Sequence, residues 1–545
     1  MITYSRNTKR RLTHPVVSFA LCGLLLAGCS NNDDDVSTVP PNASSFAKNT
    51  MLSVQVFDTN GDPVEGATVS ITSDPDDIVP ANEESLVTES APAGLVIYAP
   101  NEFTGTKSLQ ILASKDGFLS NNIPVDVVGG DLNEASIIIT DITANTTAGI
   151  NTATETGDIS QNPLTSSAQE GDGSNDNSKT TVTVPIDPGA TTANGTPLGN
   201  NLSLVVAQYD PDQPQSLDAF PGGLTATIGN PAALVNSGNA STDGVTPSNG
   251  DVIFQSAGFT AIEVKDDQGN VAKNFNKPVE VSTKVDSAFV NPMTGAAIVA
   301  GDTIPIWSYE ASTGQWNYEK TGTVVADANG GLKVDYTVSH LSYYNLDYYG
   351  GGRCNSTVTF QDTNGSTVGS LYGRLTSPGW SRRFSHRDNN ALNFRNAPVD
   401  RMVRFTNLRS RFTNQPINVI SPTGPINLCN PSTHTVIVDV PVIQYSELTV
   451  GASLYCSNNS AVPEVPIAGA YTWVFTSNWR FVGFGRTNGS GQKVFNLPAG
   501  SYQVFIYDRI NRRYTRQNAV VTASANGTAN LRVPQVCPIT TGGSN

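Results

Sequence analysis

Leu52-Ser53-Val54-Gln55-Val56-Phe57-Asp58-Thr59-Asn60-Gly61-Asp62-Pro63-Val64-Glu65-Gly66-Ala67-Thr68-Val69-Ser70-Ile71 is the stretch that decides the fold class. Apolar and polar residues alternate on both sides of an Asn-Gly turn. That is the period-two pattern of half-buried strands, and it predicts a hairpin. Val358-Thr359-Phe360-Gln361-Asp362-Thr363-Asn364-Gly365 echoes the segment Phe57–Gly61. Composition agrees. Charged residues are 14% of the chain, against a usual ~25%, and there are 48 Gly and 33 Pro. Long charged helices are disfavoured, and short strands joined by turn residues are favoured. At 545 residues the chain exceeds the ~250–300 that one core supports. The expectation is an all-β chain of tandem β-sandwich domains joined by a low-complexity linker.

The N-terminus reads as an export address. Arg6, Lys9, Arg10 and Arg11 precede an apolar run from Val16 to Leu26, too short to span a membrane at ~20 residues. Leu26-Ala27-Gly28-Cys29 resembles the lipobox of bacterial lipoproteins. The resemblance implies cleavage after residue 28, diacylation of Cys29, and membrane attachment through that lipid. Ser30 follows, which in such proteins implies sorting to the outer membrane. Residues 29–49 are then a lipidated tether. Four further cysteines, Cys354, Cys429, Cys456 and Cys537, suit disulfides in an oxidising compartment. One pairing is Cys354–Cys429 with Cys456–Cys537, and another joins Cys429 to Cys456 across a junction. The first is preferred because its similar spans suggest two copies of one unit.

Four folded units are expected, at 50–142, 181–350, 352–442 and 446–537. Residues 143–180 lack apolar periodicity and read as a disordered linker. The string from Val56 to Val69 resembles the carboxypeptidase regulatory-like (transthyretin-like) sandwich, and so does Phe495-Asn496-Leu497-Pro498-Ala499-Gly500-Ser501-Tyr502-Gln503-Val504. In the central unit, Trp307-Ser308-Tyr309, Thr313-Gly314-Gln315-Trp316 and His340-Leu341-Ser342-Tyr343-Tyr344-Asn345 resemble the ectodomain segment of cartilage intermediate layer proteins. Both resemblances imply Ig-like, extracellular modules without catalysis. The chain thus reads as three related sandwiches around a different one.

Charge divides the chain. Residues 1–350 hold 14 Lys and Arg against 40 Asp and Glu, whereas residues 351–545 hold 18 against 7. Between Cys29 and Gly350 every cation is Lys, and beyond Gly350 all but Lys493 are Arg. Arg382, Arg383, Arg387, Arg395 and Arg404, with Arg512 and Arg513 further on, stand among aromatic residues. Guanidinium forks bind phosphate, sulfate or carboxylate in bidentate fashion. These seven are the candidate anion-binding residues. Their partner would be an anionic polysaccharide or an envelope protein, and no specific nucleic-acid motif accompanies them. The bland alternatives are a solvated face, or docking onto the chain's own acidic part.

No catalytic or metal site is expected, and no cofactor. Asp58, Asn60 and Asp62 have the opening spacing of a calcium loop, but Val69 stands where the closing Glu belongs, so a turn explains them better. His340 with Ser342 and Asn345 lacks any nucleophile or zinc motif, and His340 is expected as a buried strand-tying residue. A non-enzymatic binding or adhesion protein is the leading expectation. A structural spacer or assembly subunit comes next, and a hydrolase with an unrecognised site last.

Overall fold

The structure is a computed structural model. It describes residues 37–38 and 50–540, except 74–77, 79–86, 91–93, 144–148, 170–178, 387–390, 441–442, 509–512 and positions 99, 246, 248–249, 312, 329, 478, 524 and 538. The leader and Cys29 lie outside the described residues. Strand accounts for 61% and helix for 3%, arranged as tandem β-sandwich domains. No described helix is long and apolar enough to cross a membrane.

The first unit packs two four-stranded sheets face to face. One holds Leu95–Tyr98, Met51–Asp58, Leu132–Asp141 and Phe118–Leu119, and the other Val87–Glu89, Thr68–Ser73, Thr106–Ser114 and Asn121–Val128. Met51–Asp58 runs antiparallel to Leu95–Tyr98 and parallel to Leu132–Asp141. The third unit repeats this connectivity: Arg353–Gln361 is antiparallel to Leu392–Pro398 and parallel to Thr433–Asp439. So does the fourth, where Tyr445–Cys456 is antiparallel to Gln492–Pro498 and parallel to Gly527–Gln535.

The expected hairpin across Asn60-Gly61 does not form. The turn is there: Asp58 Oδ1 accepts from the amides of Asn60 and Asp62 at 2.9 and 2.8 Å, and Gly61 takes φ +90°. Beyond one bridge between Phe57 and Pro63, however, the chain crosses to the opposite sheet. Pro63 has no N–H to continue a ladder, and Gly66 turns at φ +71°. Val64 and Ala67 then close the end of the core. The echo at 358–365 does the same, with Asp362 Oδ1 accepting from Asn364 and Ser366 at 2.9 and 2.8 Å. The shared sequence signature thus marks a sheet-to-sheet crossover.

The central unit is one eleven-stranded sheet, running from Ile150–Asp158 to Leu164–Gln169, whose two end strands curl round to lie against each other. Both ends fall inside the stretch expected as a disordered linker, so the central unit begins near Ile150. The reason is compositional. Leu164, Ser166 and Ala168 alternate inward, but two of the three are small or polar, and the hydropathy pattern hides the strand. Inside the curl lie Val182, Leu204, Val264, Val281, Ile304, Ile306, Val324 and Val334. The outer face carries Trp307, Tyr309 and Trp316, packed with Phe220 and Phe254 beneath the short helices Pro214–Asp218 and Pro231–Ser237.

Both disulfides of the preferred pairing are present, Cys354–Cys429 and Cys456–Cys537, with Cα–Cα distances of 5.8 and 5.4 Å. The units do not hang as a string. Tyr309 and Tyr343 of the central unit donate to the carbonyls of Asn122 and Ser120 in the first, each at 2.7 Å. One apolar core runs continuously from the central unit into the third. Phe412 of the third meets Tyr445 of the fourth at 5.6 Å. Met51, Leu95 and Ile97 of the first unit pack on Tyr471, Trp473, Phe475 and Phe505 of the fourth, which closes the circuit.

Candidate interaction surface

The arginines divide by the alternation of one sheet. In the third unit, Trp380–His386 and Met402–Ser410 flank Leu371–Ser377. Leu371, Gly373 and Leu375 face the core. Tyr372, Arg374 and Thr376 face outward, and their direct partners Arg409, Arg383 and Arg404 share that face. Arg382 has the opposite parity. It lies over the edge of the core, donates to the Arg395 carbonyl at 2.6 Å and sits above the Phe394 ring at 5.9 Å. Arg395 and Arg404 are exposed. Arg387 and Arg512 lie outside the described residues. Arg513 opens the strand Arg513–Val521, its backbone in register with Asp508 of the neighbouring strand.

Part of this cluster joins the units. Asp218 ends the helix Pro214–Asp218, its side chain is 2% exposed, and one of its carboxylate oxygens accepts from Arg374 Nε at 2.9 Å and Arg383 Nε at 2.5 Å. Arg353 donates to the carbonyls of Ala226 and Val252 at 2.9 and 2.7 Å and pairs with Asp251 at 3.4 Å. Arg401 is buried and donates to the Phe254 carbonyl at 2.8 Å. Arg411 is buried over the Phe481 ring at 5.1 Å, and desolvation pushes its pKa down to about 10. The excess positive charge of the third unit thus partly meets carboxylates and carbonyls of the central unit. Arg353 lies outside the aromatic cluster, and no local pattern singles it out.

Beside Arg401 lies a buried polar group. Asp347 shares a hydrogen bond with Asn345, which accepts from Ser256 Oγ at 3.1 Å, and the Trp307 indole donates to the Asp347 carbonyl at 2.9 Å. Burial holds the Asp347 carboxyl well above the usual carboxylate range, against the opposing pull of its hydrogen bonds and Arg401. The folded state therefore holds this proton more tightly than the unfolded chain does. Its contribution to stability should be greatest below the unfolded carboxyl value of 3.8 and should fall as pH rises through the raised folded value. Chemical denaturation at a series of pH values should show that slope, and Asp347→Asn should flatten it. An unchanged slope in the variant would assign it to another group.

His340, Ser342 and Asn345 do not converge. The strand Leu332–His340 ends at His340, and the chain turns before Tyr343–Gly350 begins, so alternation does not place His340 and Ser342 together. His340 is half-buried beside Glu319 at 3.5 Å, not buried as expected. Ser342 donates to the Tyr309 carbonyl, and Asn345 binds Asp347. No group of three or more metal-ligating side chains gathers among the described residues. A shallow depression of about 470 Å³ lies over Thr181, Thr183, Glu280, Ser282, Asp335 and Thr337.

No protein-family model matches the chain, and no curated protein is detectably similar to it. Among solved structures, similarity is found to the minor pilin GBS52 of Streptococcus agalactiae, with 11% identity and TM-score 0.16 over 35% of this chain and all of that one. The major pilin subunit BcpA of Bacillus cereus gives 11% and 0.14 over 89% of this chain and 98% of that one. The pilus protein RrgB of Streptococcus pneumoniae gives 9% and 0.13 over 88% and 94%. At these TM-scores the likeness carries no argument about function.

Proposed function

We propose that this is a non-enzymatic cell-envelope lipoprotein. It is held at the outer membrane by a lipid on Cys29 and binds an anionic glycan through its arginine-rich third and fourth units. The observation that supports this most is the outward face of the third unit's sheet. Four guanidiniums, Arg374, Arg383, Arg404 and Arg409, share it, and Asp218 compensates only the first two. Arg395 adds a further exposed cation in that unit. A second reading, a structural or assembly subunit, is supported by the closed contact of all four units.

The test is chromatography of the full mature chain on a sulfated-polysaccharide column. Retention is expected to weaken as salt shortens the screening length from ~10 Å at 0.1 M to ~3 Å at 1 M. It should drop further in Arg395→Ala/Arg404→Ala, two exposed positions whose loss should leave the fold unchanged. A chain that flows through at low salt, yet self-associates, would favour the assembly reading.

A further inference from the structure

We infer that the hairpin between Asp286 and Asp302 in the central unit is a lipid-docking element, whose uncharged tip enters the interface of a bilayer. This goes beyond the glycan reading, because it uses none of the arginines.

Ser287-Ala288-Phe289-Val290-Asn291-Pro292-Met293-Thr294-Gly295-Ala296-Ala297-Ile298-Val299-Ala300-Gly301 carries no charge. Val290–Asn291 and Ala296–Ala297 pair as a two-stranded ribbon outside the unit's eleven-stranded sheet. Two side chains fasten it. Phe289 and Ile298 are buried in the unit's core, and Phe289 stacks on Tyr348 at 6.2 Å. What faces out is apolar. Val290 is 46% exposed, Met293 45% and Val299 57%, and Ala288, Ala296, Ala297 and Ala300 are exposed beside them.

This exposure is held in place by hydrogen bonds. Asn291 Oδ1 accepts from the Met293 amide at 2.9 Å, and the Ile298 amide donates to the Phe289 carbonyl at 2.9 Å. Asp302 Oδ2 accepts from Asn291 Nδ2 and from the Val299 amide, both at 3.1 Å. Other turns of the chain show water a polar tip: Asn60, Asp267, Gln268 and Asn364 are all exposed. Here the tip shows Met293.

The patch is on the order of 400 Å², a size at which an apolar surface marks an interaction site. That is about half of the ~800 Å² that each partner of a stable protein pair buries. A bilayer interface asks for less, since it takes an apolar protrusion to a depth of ~5–10 Å and needs no matching shape. Asp286 and Asp302 bound the stretch, and it holds no Lys or Arg, so the attraction is apolar and not to anionic headgroups. A lipid on Cys29, as proposed above, would keep the chain at such a surface, and the hairpin would add the second signal that durable anchoring needs.

The experiment uses the full mature chain with Cys29→Ser, so that no acyl chain contributes. Co-sedimentation with phosphatidylcholine vesicles is expected, and it should survive high salt, which screens charge but not apolar burial. Val290→Ser/Met293→Ser/Val299→Ser changes three exposed positions, so it should fold as wild type, yet lose at least about tenfold in partitioning. Its retention on the polysaccharide column should not change. A fluorophore on Thr294→Cys should shift to the blue when vesicles are added. No binding to vesicles, or equal binding by the triple variant, would overturn the proposal and leave the glycan reading standing. Binding only to vesicles that contain phosphatidylglycerol, and lost in salt, would assign the membrane contact to the arginines. Dimers that form without lipid and disappear in the triple variant would make a second copy the occupant.

Discussion

Arg401→Met should loosen the junction between the central and third units by about 1–3 kcal/mol, the usual cost of leaving a buried hydrogen-bonding group unsatisfied. Arg401 is 5% exposed. Its guanidinium donates to the Phe254 carbonyl at 2.8 Å, lies 3.6 Å from Asp400 and attracts Asp347. The methionine fills similar volume, so little of the loss is a cavity effect. What remains is the buried Phe254 carbonyl without its donor, which is costly in a low-dielectric setting. A four-unit chain need not unfold in one step, so a single melting temperature is the wrong measure. Amide exchange in Asp251–Asp266 and Met402–Ser410 should accelerate, while Tyr445–Cys456 in the fourth unit should keep its protection. Uniform acceleration throughout the chain would refute a local role, and no acceleration would show that the third unit is held by apolar contacts alone.

What could be read in the residues, and what could not, follows from the range over which each signal acts. Asp58-Thr59-Asn60-Gly61 fixes a turn through bonds two to four residues long, and that turn was legible. Which sheet the following strand joins depends on Val64, Ala67 and the far Ser90, whose hydroxyl donates to the Val64 carbonyl at 2.6 Å. No local pattern carries that. The central unit's first strand, Ile150–Asp158, was missed because its partner Asn201–Tyr209 supplies most of the apolar residues, and its own Thr and Glu side chains are half or fully exposed. The arginine cluster was legible as unusual, but its division was not. Strand parity separates Arg382 from Arg383, whereas the carboxylate that holds Arg383 is 165 residues away in the chain.

Cys456→Ser/Cys537→Ser should be the most damaging change in the fourth unit, with an expected loss of about 3–4 kcal/mol. The bridge closes a loop spanning 81 residues. Chain-entropy reasoning gives ~4.5 kcal/mol for loops of this length, and measured effects usually fall below it because the reduced unfolded chain keeps some structure. Position adds to the cost. Cys456 ends the first strand of the unit, and Gln535 on the last strand is its parallel partner. Parallel pairing of chain ends requires the two most distant segments to meet, so it forms late and opens early without a covalent tie. Both cysteines are 2% exposed, and the bridge also caps an apolar core that includes Leu454 and Val533. Breaking it should free the edge strand Gly527–Gln535, seen as faster proteolysis after Arg532. The first unit is the internal control. It has the same connectivity and no cysteine, and depends instead on Asn133, whose amide reaches the carbonyls of Met51, Val128 and Asp131 at 3.2, 3.0 and 3.2 Å. Reductant should therefore sensitise the third and fourth units and leave the first unchanged. Loss of the first unit at the same reductant concentration would mean that its packing on Tyr471, Trp473 and Phe475, rather than its own core, holds it folded.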